Sequence, residues 1–310
     1  MSRALLLALV PVFFVLALGY AAGRWKLADN TRIESLNALV MLFALPASLF
    51  LATATAAREE MISQSPLFAI FGGMMLVVWA ISYAFRRSTG ISRADAALQA
   101  LTIAYPNLAG VGLPIVAAVL GPQGLVPIAL ALAAGSILVT PLTLVIVEMD
   151  TKKSAGSSSA QVFTALRRSI TKPVVLAPAL GIVVSFSGVT IDPVAQASLT
   201  LIGHTAAGVA LFLTGLILSA QPFHLDAKVI SATAMADVIR PLLTVAIVKL
   251  VPVAPETAKA AILLAAIPSG FFGILFAVNY GKDSGTAGSM VLASTVFSAV
   301  TITAVIGELF

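Results

Sequence analysis

Two short stretches of this chain carry residues whose types and spacing suit the binding of an anion within apolar surroundings. One reads Ala104-Tyr105-Pro106-Asn107-Leu108-Ala109-Gly110-Val111-Gly112-Leu113-Pro114, the other Ala266-Ile267-Pro268-Ser269-Gly270-Phe271-Phe272-Gly273. Each lies near the middle of a long apolar run. Proline removes a backbone donor and its ring collides with the preceding turn. It also pushes the residue before it out of the helical region, and adjacent glycines let the chain unwind. A helix that restarts after such a break offers free N–H groups and roughly half a positive charge at its new N-terminus. Two such ends aimed at one point favour a carboxylate. Pro106, Asn107, Gly110, Gly112, Pro268, Ser269 and Gly270 are therefore the candidate substrate-binding residues. For either break alone an ordinary proline kink is the plainer reading; two breaks at matched positions favour a site.

Asp237 and Arg240 form a second candidate. They stand mid-way along an apolar run and three residues apart, so they share a helix face. Burying either charge alone in a bilayer costs at least about 2.5–3.5 kcal/mol, so the two are expected to pair and face the interior. Two roles stand open: Arg240 attracting the anion or Asp237 exchanging a proton, and a structural ion pair that holds spans together. His204 is expected to be a satisfied interior histidine, and Asn279 and Gln99 to hydrogen-bond between helices. Phe271 and Phe272 read as core packing, Glu148 and Glu308 as span ends at the interface, and Trp25 as an interfacial anchor.

Other chemistry finds little support. There is no cysteine, and the two histidines have no acidic neighbours in sequence, so neither a metal site nor a cofactor is expected. No G-x-x-x-x-G-K-[ST] loop is present, which excludes ATP as a direct energy source. An intramembrane enzyme lacks its parts: no two mid-span carboxylates and no Ser–His pair at a plausible spacing.

The elements that must position these residues are set by composition. Of 310 residues 59% are hydrophobic and 10% charged, against about 25% charged in soluble domains. Mean hydropathy is +1.05. A membrane span takes roughly 20 apolar residues. Helices are predicted at 4–23, 33–53, 66–85, 94–119, 125–148, 173–188, 193–218, 228–250, 257–280 and 285–308. The first apolar run is longer than a signal-peptide core and recurs later in the chain, so it reads as a span. A polar, basic stretch at 149–172 is the expected seam between two halves, 1–148 and 173–310. Of the 18 Lys and Arg, thirteen fall on the linker's side of the membrane and four on the other, with Arg240 mid-span. That bias predicts a cytoplasmic linker and both termini outside the inner (plasma) membrane. The net charge of +5 is thereby assigned to topology; no basic face interleaved with aromatics points to nucleic acid.

The halves repeat. Pro11-Val12…Ala17-Leu18-Gly19 recurs as Pro173-Val174…Ala179-Leu180-Gly181, and Pro106 falls on Pro268 at the same offset. Five spans per repeat is odd, so the second half enters the membrane from the opposite side. The fold class expected is an all-α polytopic membrane protein of ten helices, two inverted five-helix repeats, with broken helices four and nine crossing.

The chain also resembles the auxin efflux carrier family, whose bacterial members include malonate-type transporters. The residues that carry the likeness are Pro11…Leu18-Gly19-Tyr20, Leu45-Pro46-Ala47-Ser48-Leu49-Phe50, Pro106-Asn107…Gly112-Leu113-Pro114, Arg240-Pro241, and Pro268 followed by Tyr280-Gly281. The resemblance implies a fold like that of sodium/bile-acid symporters and sodium/proton antiporters. It implies a scaffold of helices 1, 2, 6 and 7 and a mobile unit of helices 3–5 and 8–10, and it adds a possible homodimer through the scaffold. Plant relatives place an asparagine beside each crossover proline; here Asn107 keeps the first, and Ser269 stands in for the second. The function implied is secondary transport of a small organic anion, a malonate-like carboxylate or auxin-like weak acid, by elevator-type alternating access. A proton is the expected coupling ion, with sodium as the alternative in a bile-acid-type symporter.

Overall fold

In a computed structural model the chain is all-helical. It describes residues 3–151, 167, 171–220 and 223–310; the predicted linker therefore lies mostly outside the described residues. The helices in chain order are α1 (Arg3–Arg24), α2 (Glu34–Ala54), α3 (Ser65–Ser88), the broken α4 (Arg93–Ala104, then 108–120), α5 (125–151), α6 (Pro173–Ser187), α7 (Pro193–Ala220), α8 (Ala227–Leu250), the broken α9 (Pro255–Ala266, then Phe272–Asn279) and α10 (Gly285–Leu309). The two halves of α4 and α9 are called α4a, α4b, α9a and α9b. A short helix, Arg58–Ser63, joins α2 to α3. Six helices, α2, α3, α5, α7, α8 and α10, are each long and apolar enough to cross a membrane.

What these helices show to the outside is apolar. Val10, Phe14 and Leu18 make an exposed stripe along α1, and Val77, Ile81 and Phe85 another along α3. A spacing of four puts each set on one helix face, and exposed stripes of this kind are what lipid, not water, solvates. The chain is a multi-pass membrane protein.

Helices in lipid gain nothing from hiding apolar surface from one another, so close contact of small residues holds them together. In α1, Gly19 and Gly23 are four apart. A Cβ on Gly19 would collide with the backbone of Phe212 in α7, one on Gly23 with the Ser219 side chain, and one on Gly215 with the backbone of Leu16. Gly181 of α6 meets Phe50 and Thr53 of α2 just as closely. Thus α1 lies along α7, and α6 along α2. The remaining helices pack as a second group, α3 and α5 on α4a, α9b on α4a, and α8 on α9a and α10.

Four π turns interrupt the long helices: Leu39–Ala44, Leu108–Gly112, Gly135–Val139 and Met235–Ile239. Each ends two residues before a proline, namely Pro46, Pro114, Pro141 and Pro241. The cause is local. A proline has no N–H for the carbonyl four residues back and its ring presses on that turn; widening the turn by one residue removes the collision at modest cost. The sequence places the prolines in plain sight, yet the π turns themselves were not predicted.

Candidate functional site

The helix breaks predicted at Pro106 and Pro268 are both present, and they meet. Pro106 and Ser269 pair as an isolated antiparallel bridge. The Asn107 N–H donates to Pro268 O at 2.8 Å, and the Gly270 N–H to Thr102 O at 3.1 Å. Backbone groups freed by the prolines thus find partners in the opposite break, which is what membrane interiors demand. Gly270 is required for the approach: a Cβ there would overlap Tyr105 O. Gly273 has the same office one turn on, against Thr102 and Leu98 of α4a. Pro106, Asn107, Gly110, Gly112, Pro268, Ser269 and Gly270 are all buried.

Asn107 works as a cap. Its Oδ1 accepts from the Gly110 N–H at 3.0 Å, and its backbone carbonyl accepts from Val111 and Gly112. Its amide folds directly over Gly110, where a Cβ would stand 2.7 Å from Oδ1. Among the described residues nothing accepts from the Asn107 Nδ2, and that atom is not among the occluded ones. The second break differs. No side chain caps α9b, whose first turn begins at Phe272. Ser269, at the position equivalent to Asn107, leaves its Oγ buried without a partner, while its N–H turns away to Ser294 Oγ at 2.8 Å.

The expected contact between Asp237 and Arg240 is not formed, and this corrects the sequence reading. Among the described residues the one ion pair within 4 Å is Lys259–Glu256. Arg240, with no exposed surface, spends its guanidinium on carbonyls instead: Nε on Ala265 O at 2.9 Å, Nη1 on Ile103 O at 2.6 Å and Nη2 on Ile267 O. Ile103 lies in the last turn of α4a, Ala265 in that of α9a. Helix C-termini carry roughly half a negative charge and unpaired carbonyls, and one arginine fork satisfies both ends. Asp237 receives the Ser294 hydroxyl on Oδ1 at 2.8 Å, and its Oδ2 has no partner. In this conformation Arg240 braces the two breaks, with its guanidinium spent on their carbonyls.

Tyr105 anchors the first break from the other side. Its ring lies on Gly135, in the π turn of α5, and its hydroxyl donates to Leu132 O at 2.9 Å and meets Ser136 Oγ at 3.1 Å. Phe271 and Phe272 are buried, and the Phe272 ring lies 4.9–6.1 Å from the ring centres of Tyr105, Phe271 and Phe276, which is the packing role expected. His204 departs from expectation: it is exposed, at the point where α7 is interrupted. Gln99 has its Oε1 buried without a partner, and Asn279 accepts from Asn37 of α2 at 2.8 Å.

Sequence reasoning missed Ser294 and the reach of Arg240 to both breaks. A signal for Ser294 exists: Ser294, Ser298 and Thr301 are spaced four and three apart, a hydroxyl face on an otherwise apolar helix. Thr301 also bonds Asp237, at its backbone carbonyl. For Arg240 no local signal points to carbonyls 25 and 137 residues away.

A multi-pass helical body in which two helix breaks meet fits the class of membrane transport proteins. The chain belongs to that family: the profile described as "Membrane transport protein" matches residues 4–306, and this is the auxin efflux carrier family that the sequence resembles. Similar proteins include the "Uncharacterized transporter YfdV" of Escherichia coli strain K12, 27% identical over 299 residues, covering 94% of each chain. Another is a "Putative malonate transporter" of Rhizobium meliloti strain 1021, 25% identical over 305 residues, covering 95% of this chain and 92% of the relative.

Proposed function

We propose that the protein is a secondary carrier of a small carboxylate, malonate-like or another short organic acid, bound at the crossing of α4 and α9. The observation that carries this reading is the pairing of Pro106 with Ser269 beside an Asn107 whose Nδ2 is left as a donor and an α9b whose N-terminus no side chain caps. A hydrogen-bond donor and a helix N-terminus aimed at one place are what a carboxylate needs. The relative described as a malonate transporter agrees with that chemistry. The two packing groups support a division of labour, with α1, α2, α6 and α7 as a scaffold through which two copies would pair, and α3–α5 and α8–α10 moving against it. The two halves would be inverted repeats, with the linker in the cytoplasm and both termini outside the inner membrane.

The experiment is uptake of labelled malonate and of related short mono- and dicarboxylates by proteoliposomes, with Asn107→Asp alongside. The aspartate keeps an oxygen to cap Gly110 and replaces the donor by a negative charge. A lost charge-assisted hydrogen bond is worth about 1.5–3 kcal/mol, so apparent affinity should fall about ten- to a hundredfold. Equal affinity in variant and wild type would remove Asn107 from the site.

A further inference from the structure

Asp237 ends in an oxygen with no partner at the heart of the molecule, and what it carries can be argued from its surroundings. The residue is 1% exposed. A bare carboxylate there would be costly. The nearest cation in sequence, Arg240, is committed to three carbonyls. The other charged groups of the elements packed on α8 stand at their far ends: Arg86 near the end of α3, buried and donating to Lys228 O and Ser231 Oγ in the first turns of α8, Arg93 and Asp95 in the first turn of α4a, Glu256 and Lys259 in the first turns of α9a, Glu308 at the end of α10. What α10 sets against Asp237 is a hydroxyl face, with Ser294 on Oδ1 and Thr301 on the backbone.

We infer that Asp237 is a proton-binding site, that the proton sits on Oδ2, and that Ser294 links its occupancy to the second helix break at Ser269. The link to transport rests on the carrier reading above; the proton site itself does not. A metal cation fits poorly. Hard cations want about six oxygen ligands, the described unpartnered oxygens here are Asp237 Oδ2 and Ser269 Oγ, and Arg240 holds the carbonyls that could have completed a shell. A proton needs one.

The relay follows from hydrogen-bond inventory. A hydroxyl has one donor and two acceptor positions. With Asp237 ionised, Ser294 donates to Oδ1 and takes the Ser269 N–H on its oxygen, and this N–H is withheld from the crossing. A proton on Asp237 converts Oδ1 to a weaker acceptor and makes the acid itself a donor. The bond from Ser294 to Oδ1 weakens, and Ser294 is the hydroxyl whose oxygen holds the Ser269 N–H, so the second break senses the proton. A neutral Asp237 also removes a like charge near the anion, so anion and proton favour each other's binding, and the coupling is reciprocal. The proton comes from water on one side and returns to water on the other as the carrier changes face.

Two readouts test this. In detergent, infrared difference spectra across a pH titration should contain a protonated-carboxyl band that is absent from Asp237→Asn, the neutral isostere. In proteoliposomes with an internal pH dye, carboxylate addition should drive proton entry in wild type. In Asp237→Asn proton entry should fall to that of empty liposomes, and Ser294→Ala should shift the pH profile of uptake. Retention of the infrared band in Asp237→Asn would overturn the proton site, as would carboxylate-driven proton entry that the substitution leaves intact or uptake that follows a sodium gradient alone. A wild type that shows the band and moves no carboxylate would overturn the transport reading and leave the proton site standing.

Discussion

Arg240 illustrates how one side chain can be legible in type and illegible in role. Its position in an apolar run announces that it must be compensated, and the nearby Asp237 suggests how. The structure compensates it with carbonyls because two helix ends, both electronegative, converge within reach of its fork. Five donors in a plane match several acceptors at once, as an ammonium cannot. Arg240→Met should therefore leave three buried carbonyls without donors, at about 1–3 kcal/mol each. The expected outcome is a marked fall in melting temperature in detergent, with Arg240→Lys between the two. A variant that melts normally and loses only substrate affinity would return Arg240 to the role of anion receptor.

At the scale of elements, prolines and glycines divide the work. Prolines decide where a helix must widen or break; glycines decide how closely the pieces then approach. Four π turns stand two residues before four prolines, and the two breaks cross where Gly270 and Gly273 leave room. Gly270→Ala should push Tyr105 O away and part the Pro106–Ser269 pairing. Thermal stability and uptake should both drop. Gly73→Ala is the control, since a Cβ at Gly73 meets nothing within 4 Å. In an exposed helix face it should be neutral or stabilising by up to about 1 kcal/mol. Equal behaviour of the two variants would mean that the close approach is not required.

At the scale of the whole molecule, the two packing groups touch along several helix pairs, α1 with α4b, α2 with α5 and α7 with α10 among them, and two side-chain contacts between them can be tested. Asn37 of α2 donates to Asn279 at the end of α9b. Lys172, just before α6, lies 5.1 Å from the Tyr280 ring centre, while Tyr280 is tied within its own group by its hydroxyl, which donates to Glu148 of α5 at 2.9 Å. Burial lowers the Lys172 pKa while the Glu148 carboxylate acts to raise it. If the groups slide past each other during transport, these contacts must break in every cycle. The chain has no cysteine, so Asn37→Cys with Asn279→Cys gives a clean test. Oxidative cross-linking should stop uptake and reduction should restore it. Full uptake by the cross-linked protein would exclude relative motion at this seam.

Local patterning in the chain sets the solvent, the helices and the places where two of them break. Those are local matters: apolar run length sets a span, and proline with glycine ends a helix whatever surrounds it. Observed helix ends accordingly fall close to those expected, as in 33–53 against Glu34–Ala54 and 285–308 against Gly285–Leu309. Family membership was legible too, because order and spacing of short motifs survive along the chain. Which polar group satisfies which is settled by packing in three dimensions. Arg240 serves carbonyls of α4a and α9a, Ser294 joins Asp237 to Ser269, His204 faces outward and Asn107 caps its own half-helix. Hydrogen bonds in a low-dielectric interior are settled by which orphaned groups arrive within 3 Å of one another, and that depends on packing between segments far apart in the chain.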